Sequence, residues 1–281
     1  MKKIFKGIGK AICYVLLMIG VQMLVTEIFT FIYSFMVGME TSVRGEELNL
    51  QAAGQQTMLW VSQKTDWIVI VYGLLTLLIL FIFFKARKKN FRQEISMKSF
   101  AGKYILPLVL IGVFFNIFVS FVLDLLPIPE SILASYEKST SNLVGGQVGV
   151  MITATVIAAP IIEEVIFRGL ALSRLKCAMP VPGAVILSSV FFGLVHGQLL
   201  WMAYAFVLGI ILAVIAHKTD SILASMCVHM SFNLVGCFMD RVRISDVAAT
   251  VVCISSLILT VALLWFVLKG ENPKKLPNST E

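Results

Sequence analysis

Thr155-Val-Ile-Ala-Ala-Pro160-Ile-Ile-Glu163-Glu164-Val-Ile-Phe-Arg168 sets two adjacent carboxylates in the middle of an apolar run. The run extends from about 146 to 172, long enough to cross a hydrocarbon core of ~30 Å as a helix rising ~1.5 Å per residue. An ionisable side chain at that depth costs at least ~2.5–3.5 kcal/mol, so it persists only with a partner or a task. Adjacent helical residues point about 100° apart, so the two glutamates have different tasks. Glu164 and Arg168 are spaced i,i+4 with the acid N-terminal, the order that pairs on one helix face. Glu163 is left unpaired within its own helix, free to face a cavity, and Pro160 removes a backbone donor nearby.

The flanking sequence has the same character. The 281 residues are 58% hydrophobic and 14% charged, against about 25% charged in a soluble domain. The fold class that follows is all-α, a polytopic transmembrane helix bundle of about eight membrane spans. They run over 11–37, 67–84, 104–126, 146–172, 181–196, 198–216, 221–239 and 247–268. No Gly/Ser-rich or Pro-rich linker divides the chain, so one membrane-embedded body is expected. The basic start, Lys2 to Lys10, leads into the first span without a small-residue cleavage site, which marks that span as retained. The five cysteines lack the spacing of a zinc site or a disulfide framework and read as core filler.

Eight spans put both termini on one side, and the basic residues vote for which side. Lys2, Lys3, Lys6, Lys10, the loop from Lys85 to Lys103, Arg168, Arg174, Lys176, Lys218, Lys269, Lys274 and Lys275 bring eighteen of the 23 basic residues to that side. Arg44, Lys64, Lys138, Arg241 and Arg243 fall on the other. Positive charge stays inside, so both termini are expected in the cytoplasm, in a multi-pass cell membrane protein. The short tails and the lack of an organelle signal point to a bacterial plasma membrane. The net charge of +7 is thus membrane topology, and no nucleic-acid partner is expected. The longest outer loop, 38–66, holds a polar stretch from Arg44 to Gln56 that reads as a surface helix or a substrate lip. Pro127 and Pro129 end the third span.

Two further polar centres interrupt the spans: Phe192-Gly-Leu-Val-His196, and His229-Met-Ser-Phe-Asn233. His229 and Asn233 stand one turn apart and present to a common point between helices. A lone membrane histidine is ordinarily an interhelical hydrogen bonder; two with an unpaired glutamate form a candidate site. Amide hydrolysis needs a base to deprotonate water and donors aimed at the oxyanion, and carboxylate, imidazole and carboxamide supply both. Ser231 points away from its histidine neighbour, and no G-x-S-x-G elbow is present. Glu163, His196 and His229 are also the candidate zinc ligands, although no His-Glu-x-x-His run accompanies them. Asn116 is an uncharged polar companion, Asp124 an interface residue, and Glu27 a structural ion pair or a gate. Gly145 with Gly149, and Gly193 with Gly197, are spaced for close helix contact.

Glu163-Glu164-x-x-x-Arg168, Phe192-x-x-x-His196 and His229-x-x-x-Asn233, in that order, resemble the motif set of the CAAX protease and bacteriocin-processing family, also called the Abi family. The resemblance covers 146 to about 238. It implies a multi-helix intramembrane endopeptidase acting on a membrane-associated protein or peptide, lipidated in the eukaryotic members, which cleave prenylated CaaX termini. Bacterial members are linked to peptide maturation or bacteriocin immunity. By position, Glu163 and His196 resemble the pair that activates water, His229 and Asn233 the pair that stabilises the oxyanion, and Glu164 with Arg168 a structural ion pair. The chain then divides into an N-terminal three-span region (1–145), a catalytic core (146–238), and a last span with a cytoplasmic tail (239–281). The resemblance favours a metal-free glutamate protease, with zinc the alternative.

Two other classes fit parts of the pattern. A non-catalytic immunity or scaffold protein on this fold needs no water-activating glutamate, and a transporter is expected to carry inverted repeats, of which there is no trace. One placement fits poorly: Glu163 and His229 fall inside their spans, whereas His196 ends its own. The fifth helix must begin above the membrane surface, or the turn after His196 must be a protein-buried break inside the membrane.

Overall fold

The computed structural model describes residues 2–144, 147–239, 242 and 244–270. Gly145, Arg241, Arg243, Lys274 and Lys275 lie outside the described residues, as does the side chain of Lys138. Every regular element among the described residues is helical. Helix α1 (Lys2–Val43) buries Gly7, Ala11, Val15, Met18, Val21 and Val25, a stripe of three- and four-residue steps. Its other faces expose Leu16, Met23, Leu24 and Phe31. A helix apolar on all sides with one face packed belongs at a lipid boundary. Glu27 lies on an exposed side of α1 and has no polar partner among the described residues, so no ion pair forms there among them.

Helix α2 (Leu50–Gln63) is the surface helix anticipated in the first outer loop; Asn49 caps it and Trp60 stacks on Tyr33 of α1, with centroids 4.5 Å apart. Helix α3 (Thr65–Ala86) packs against α1. A single turn, α4 (Phe91–Glu94), precedes α5 (Ile105–Leu125), which stops just before Pro127. The segment between the prolines and 144 forms α6 (Glu130–Val144), a helix with no clear signature in the sequence. Helix α7 (Val148–Lys176) is the Glu-Glu span. It is followed by α8 (Val181–Leu194), α9 (Leu199–Thr219), α10 (Ile222–Met239) and α11 (Asp246–Lys269). Helix α5 packs along both α10 and α11, and α8 along α9.

Seven of these helices are long and apolar enough to cross a membrane; α8, the fifth apolar segment, has 14 residues. At ~1.5 Å per residue it reaches ~21 Å, short of the ~30 Å core. Helix α8 stops short of a full span, and His196, in the turn that follows it, lines a cavity; Gly197 in the same turn is exposed. Gly193 lets α9 approach, since a Cβ there would meet Met202 O at 2.9 Å. Gly197 contributes differently from the packing role expected of it: it has open space around it and φ of +69°, the left-handed conformation that turns the chain into α9. Gly149 likewise faces open space.

The end of the bundle where α1 begins is tied by polar contacts. Lys98 pairs with Asp220 at 2.6 Å, Ile222 N–H donates to Ser96 O at 3.1 Å, and Ser221 Oγ donates to Lys98 O. Glu94 pairs with Lys89 at 2.8 Å and with Arg174. These contacts join the basic loop to the ends of α7, α9 and α10.

Candidate active site

Helix α7 departs from regular α geometry where the polar residues sit. Thr153–Ala158 and Glu164–Leu172 are wound as π-helix on either side of Pro160 and Glu163. Such widened turns concentrate at functional sites. Pro160 has no N–H to give to the carbonyls four and five residues back, those of Val156 and Thr155. Asn233 Nδ2 of α10 donates to Thr155 O at 2.8 Å instead. That bond fixes the carboxamide and leaves its second N–H directed elsewhere.

Glu164 is fully buried and accepts from Arg168 Nη1 at 2.7 Å, the i,i+4 pair read from the sequence. Arg168 also donates to Gly209 O at 3.4 Å and stacks over Phe192, 4.1 Å from the ring centre. The same Glu164 oxygen lies 2.9 Å from His229 Nδ1, a contact that spacing along one helix does not reveal. An ionised carboxylate only accepts, so Nδ1 carries a proton and Nε2 faces the other way. His229 Nε2 lies 3.6 Å from Glu163 Oε2. The adjacent glutamates therefore sit on the two sides of one imidazole: Glu164 orients it, and Glu163 meets its far nitrogen.

His196, in the turn after α8, holds Nδ1 2.7 Å from Phe192 O. A carbonyl accepts, so Nδ1 is the donor and the neutral ring presents a lone pair at Nε2. Phe192 packs edge-on against both histidines, with centroids 4.9 Å from His196 and 5.6 Å from His229. The phenylalanine of the Phe192-x-x-x-His196 motif thus spaces the two imidazoles and covers the arginine.

Glu163, His196, His229 and Asn233 all line one cavity of about 290 Å³. Tyr72 of α3 and Asn116 of α5 line it too, and Tyr136 of α6 and Trp201 of α9 wall its outer part. Asn116 is the polar companion expected from the sequence. Tyr72, Tyr136 and Asp66 escape sequence reasoning, because nothing along α3 or the 130–144 segment signals proximity to α7. Among the described residues no three His, Cys, Asp or Glu side chains converge as a metal site requires, and Glu163, His196 and His229 do not form such a set.

A carboxylate with a side-chain exposure of 15% beside two oriented imidazoles and a pinned carboxamide is suited to polarising water against an acyl carbon. Residues 146–235 match the Rce1-like family of type II CAAX prenyl endopeptidases. The family resemblance drawn from the three motifs is thereby borne out. The Rce1-like segment runs from α7 through most of α10 and contains Glu163, Glu164, Arg168, His196, His229 and Asn233. No curated protein and no solved structure matches the chain.

Proposed function

We propose that the protein is an intramembrane endopeptidase that hydrolyses a peptide bond of a membrane-associated protein or peptide. The observation that carries this reading is the convergence of Glu163, His196, His229 and Asn233, from three separate parts of the Rce1-like segment, on one cavity. Water held between Glu163 and His196 Nε2 loses a proton to Glu163 as its oxygen adds to the scissile carbonyl carbon. The carbonyl electron pair moves to oxygen, and the oxyanion accepts from the free N–H of Asn233 and from His229. Collapse expels the amine, which takes the proton from Glu163. The oxyanion role requires His229 as imidazolium, donating Nδ1–H to Glu164 and Nε2–H to the substrate; a neutral ring with Nδ1–H offers only a lone pair at Nε2.

The chemistry is proposed to be metal-free. In support, Glu163, His196 and His229 share the cavity but are not grouped closely enough to hold a metal ion among the described residues. Glu163→Gln should lower cleavage about 10²–10⁴-fold in a protein that still folds. Metal analysis of the active preparation decides the cofactor question: one zinc per chain, lost together with activity and restored with it, would overturn the metal-free reading. An unchanged biological activity in Glu163→Gln would instead point to a scaffold or immunity protein.

The charge bias places both termini and the Lys85–Lys103 loop in the cytoplasm of a cell that we take to be bacterial. The cavity runs from Glu163 toward the opposite end, where α6 and the start of α3 lie. In intact cells, cysteines introduced into 44–56 should react with an impermeant reagent from outside. Reaction only after the cytoplasmic face is opened would invert the assignment.

A further inference from the structure

Asp66 stands in the first turn of α3, is 6% exposed, and lines the same cavity as Glu163. No hydrogen bond or ion pair engages its carboxylate among the described residues. A buried carboxylate without a partner is costly. A structural acid favouring the start of a helix works equally well at the surface, so burial inside a cavity calls for a different account. The position along α3 supplies a ruler. Gly73 packs against Ile162, 3.8 Å from a Cβ built there, so the Tyr72–Gly73 level of α3 matches the Glu163 level of α7. Asp66 lies six residues before Tyr72, ~9 Å along the helix, a span of about three residues in an extended peptide at ~3.3 Å each.

Apart from His196 and His229 at the Glu163 end, the charged groups lining this cavity are acidic. Asp66 and Glu163 line the cavity, and no lysine or arginine does among the described residues. Along the sequence, the connections 38–66, 124–147 and 239–246 carry nine acidic residues against five basic ones. Asn116, Ser120 and Thr140 add neutral polar groups to the lining.

We propose that Asp66 is the anchor of a cation-recognising subsite that takes a lysine or arginine side chain of the substrate about three residues from the scissile bond. The ammonium or guanidinium supplies the missing partner, and the carboxylate, largely shielded by the cavity walls, is held in place in advance of binding. The substrate class that fits is a membrane-associated peptide with a basic residue at this distance from the cleaved bond. This assignment rests on the peptidase reading of the same cavity for its choice of ligand.

The test separates the two. Probes are two N-acetylated, C-amidated octapeptides of leucine and alanine, identical except for one lysine or norleucine, with the substituted position walked along the chain. Binding to the Glu163→Gln protein in neutral detergent should favour lysine about tenfold at one position. Asp66→Asn in that background should level the pair, and Asp66→Glu should keep the preference. Equal binding of the two peptides at every position, or a preference that survives Asp66→Asn, would overturn the subsite. A preference that behaves as expected, with no cleavage of either peptide by the unsubstituted enzyme, would retain the subsite and count against the peptidase. Cleavage of both peptides with equal kcat/KM, unaffected by Asp66→Asn, would do the reverse.

Discussion

At the end of the bundle where α1 begins, Glu94 holds Lys89 and Arg174, and Asp220 holds Lys98; at the other, Asp66 and Glu163 face a cavity that no lysine or arginine lines among the described residues. The first arrangement closes loops over helix ends and asks nothing further of its charges. The second holds carboxylates with no lysine or arginine partner, at a cost to stability that a ligand or a reaction offsets. Glu164 shows that the sequence is able to pair a buried acid where it needs to: it lies next to Glu163 in the chain, is fully buried, and is bound by both Arg168 and His229. The uncompensated acids therefore mark the working part of the molecule, and the compensated ones its frame.

The strongest way to break this comparison is to exchange the roles of the two glutamates. Glu164→Gln strands Arg168 and removes the acceptor that orients His229, and breaking a buried pair in this way costs about 3–5 kcal/mol. The variant should lose yield and unfold at lower denaturant. Glu163→Gln should unfold nearly as the parent does, because it leaves the hydrogen-bonded Glu164–Arg168 pair and the Glu164–His229 contact intact. Unfolding in detergent, followed by tryptophan fluorescence, reads both; equal losses would erase the distinction between frame and site.

Much of this frame is legible in the sequence alone. Long apolar runs report membrane helices because a bilayer leaves the backbone no other partner than itself, and the i,i+4 geometry of Glu164 and Arg168 is fixed within one helix. The order of the three motifs carries the family and, with it, the candidate site. What stays hidden depends on contacts between helices. The bond from His229 to Glu164 joins residues 65 apart in sequence, and nothing in either span's periodicity specifies it. Helix α8 has the hydropathy of a span but not the length of one: its 14 residues end at the turn that carries His196. Helix α6 and Asp66 read as loop and boundary because cavity walls are defined by what they enclose.

The mildest expected effect lies at the closed end. Burial of Glu94 by itself would raise its pKa, but hydrogen bonds and charge from Lys89 and Arg174 outweigh it and hold the carboxyl below the usual range. A folded-state pKa below the unfolded one means that the unfolded chain binds more protons in this range. The stabilisation is therefore full above the ordinary glutamate value of ~4.3 and is lost as pH falls through the lowered one. The pairs are partly solvated, with 18% of the Glu94 side chain exposed, so their worth is on the order of 0.2–1 kcal/mol. Glu94→Gln should lower Tm slightly at neutral pH, and the gap between parent and variant should close on acidification below about pH 4. Peptidase activity per folded molecule should be unchanged, since this end contributes nothing to the cavity lining. A gap in Tm that stays constant from pH 7 to about pH 3 would show that the Glu94 pairs contribute no proton-linked stability, and the contrast between a charge-closed end and a charge-open one would then rest on the cavity alone.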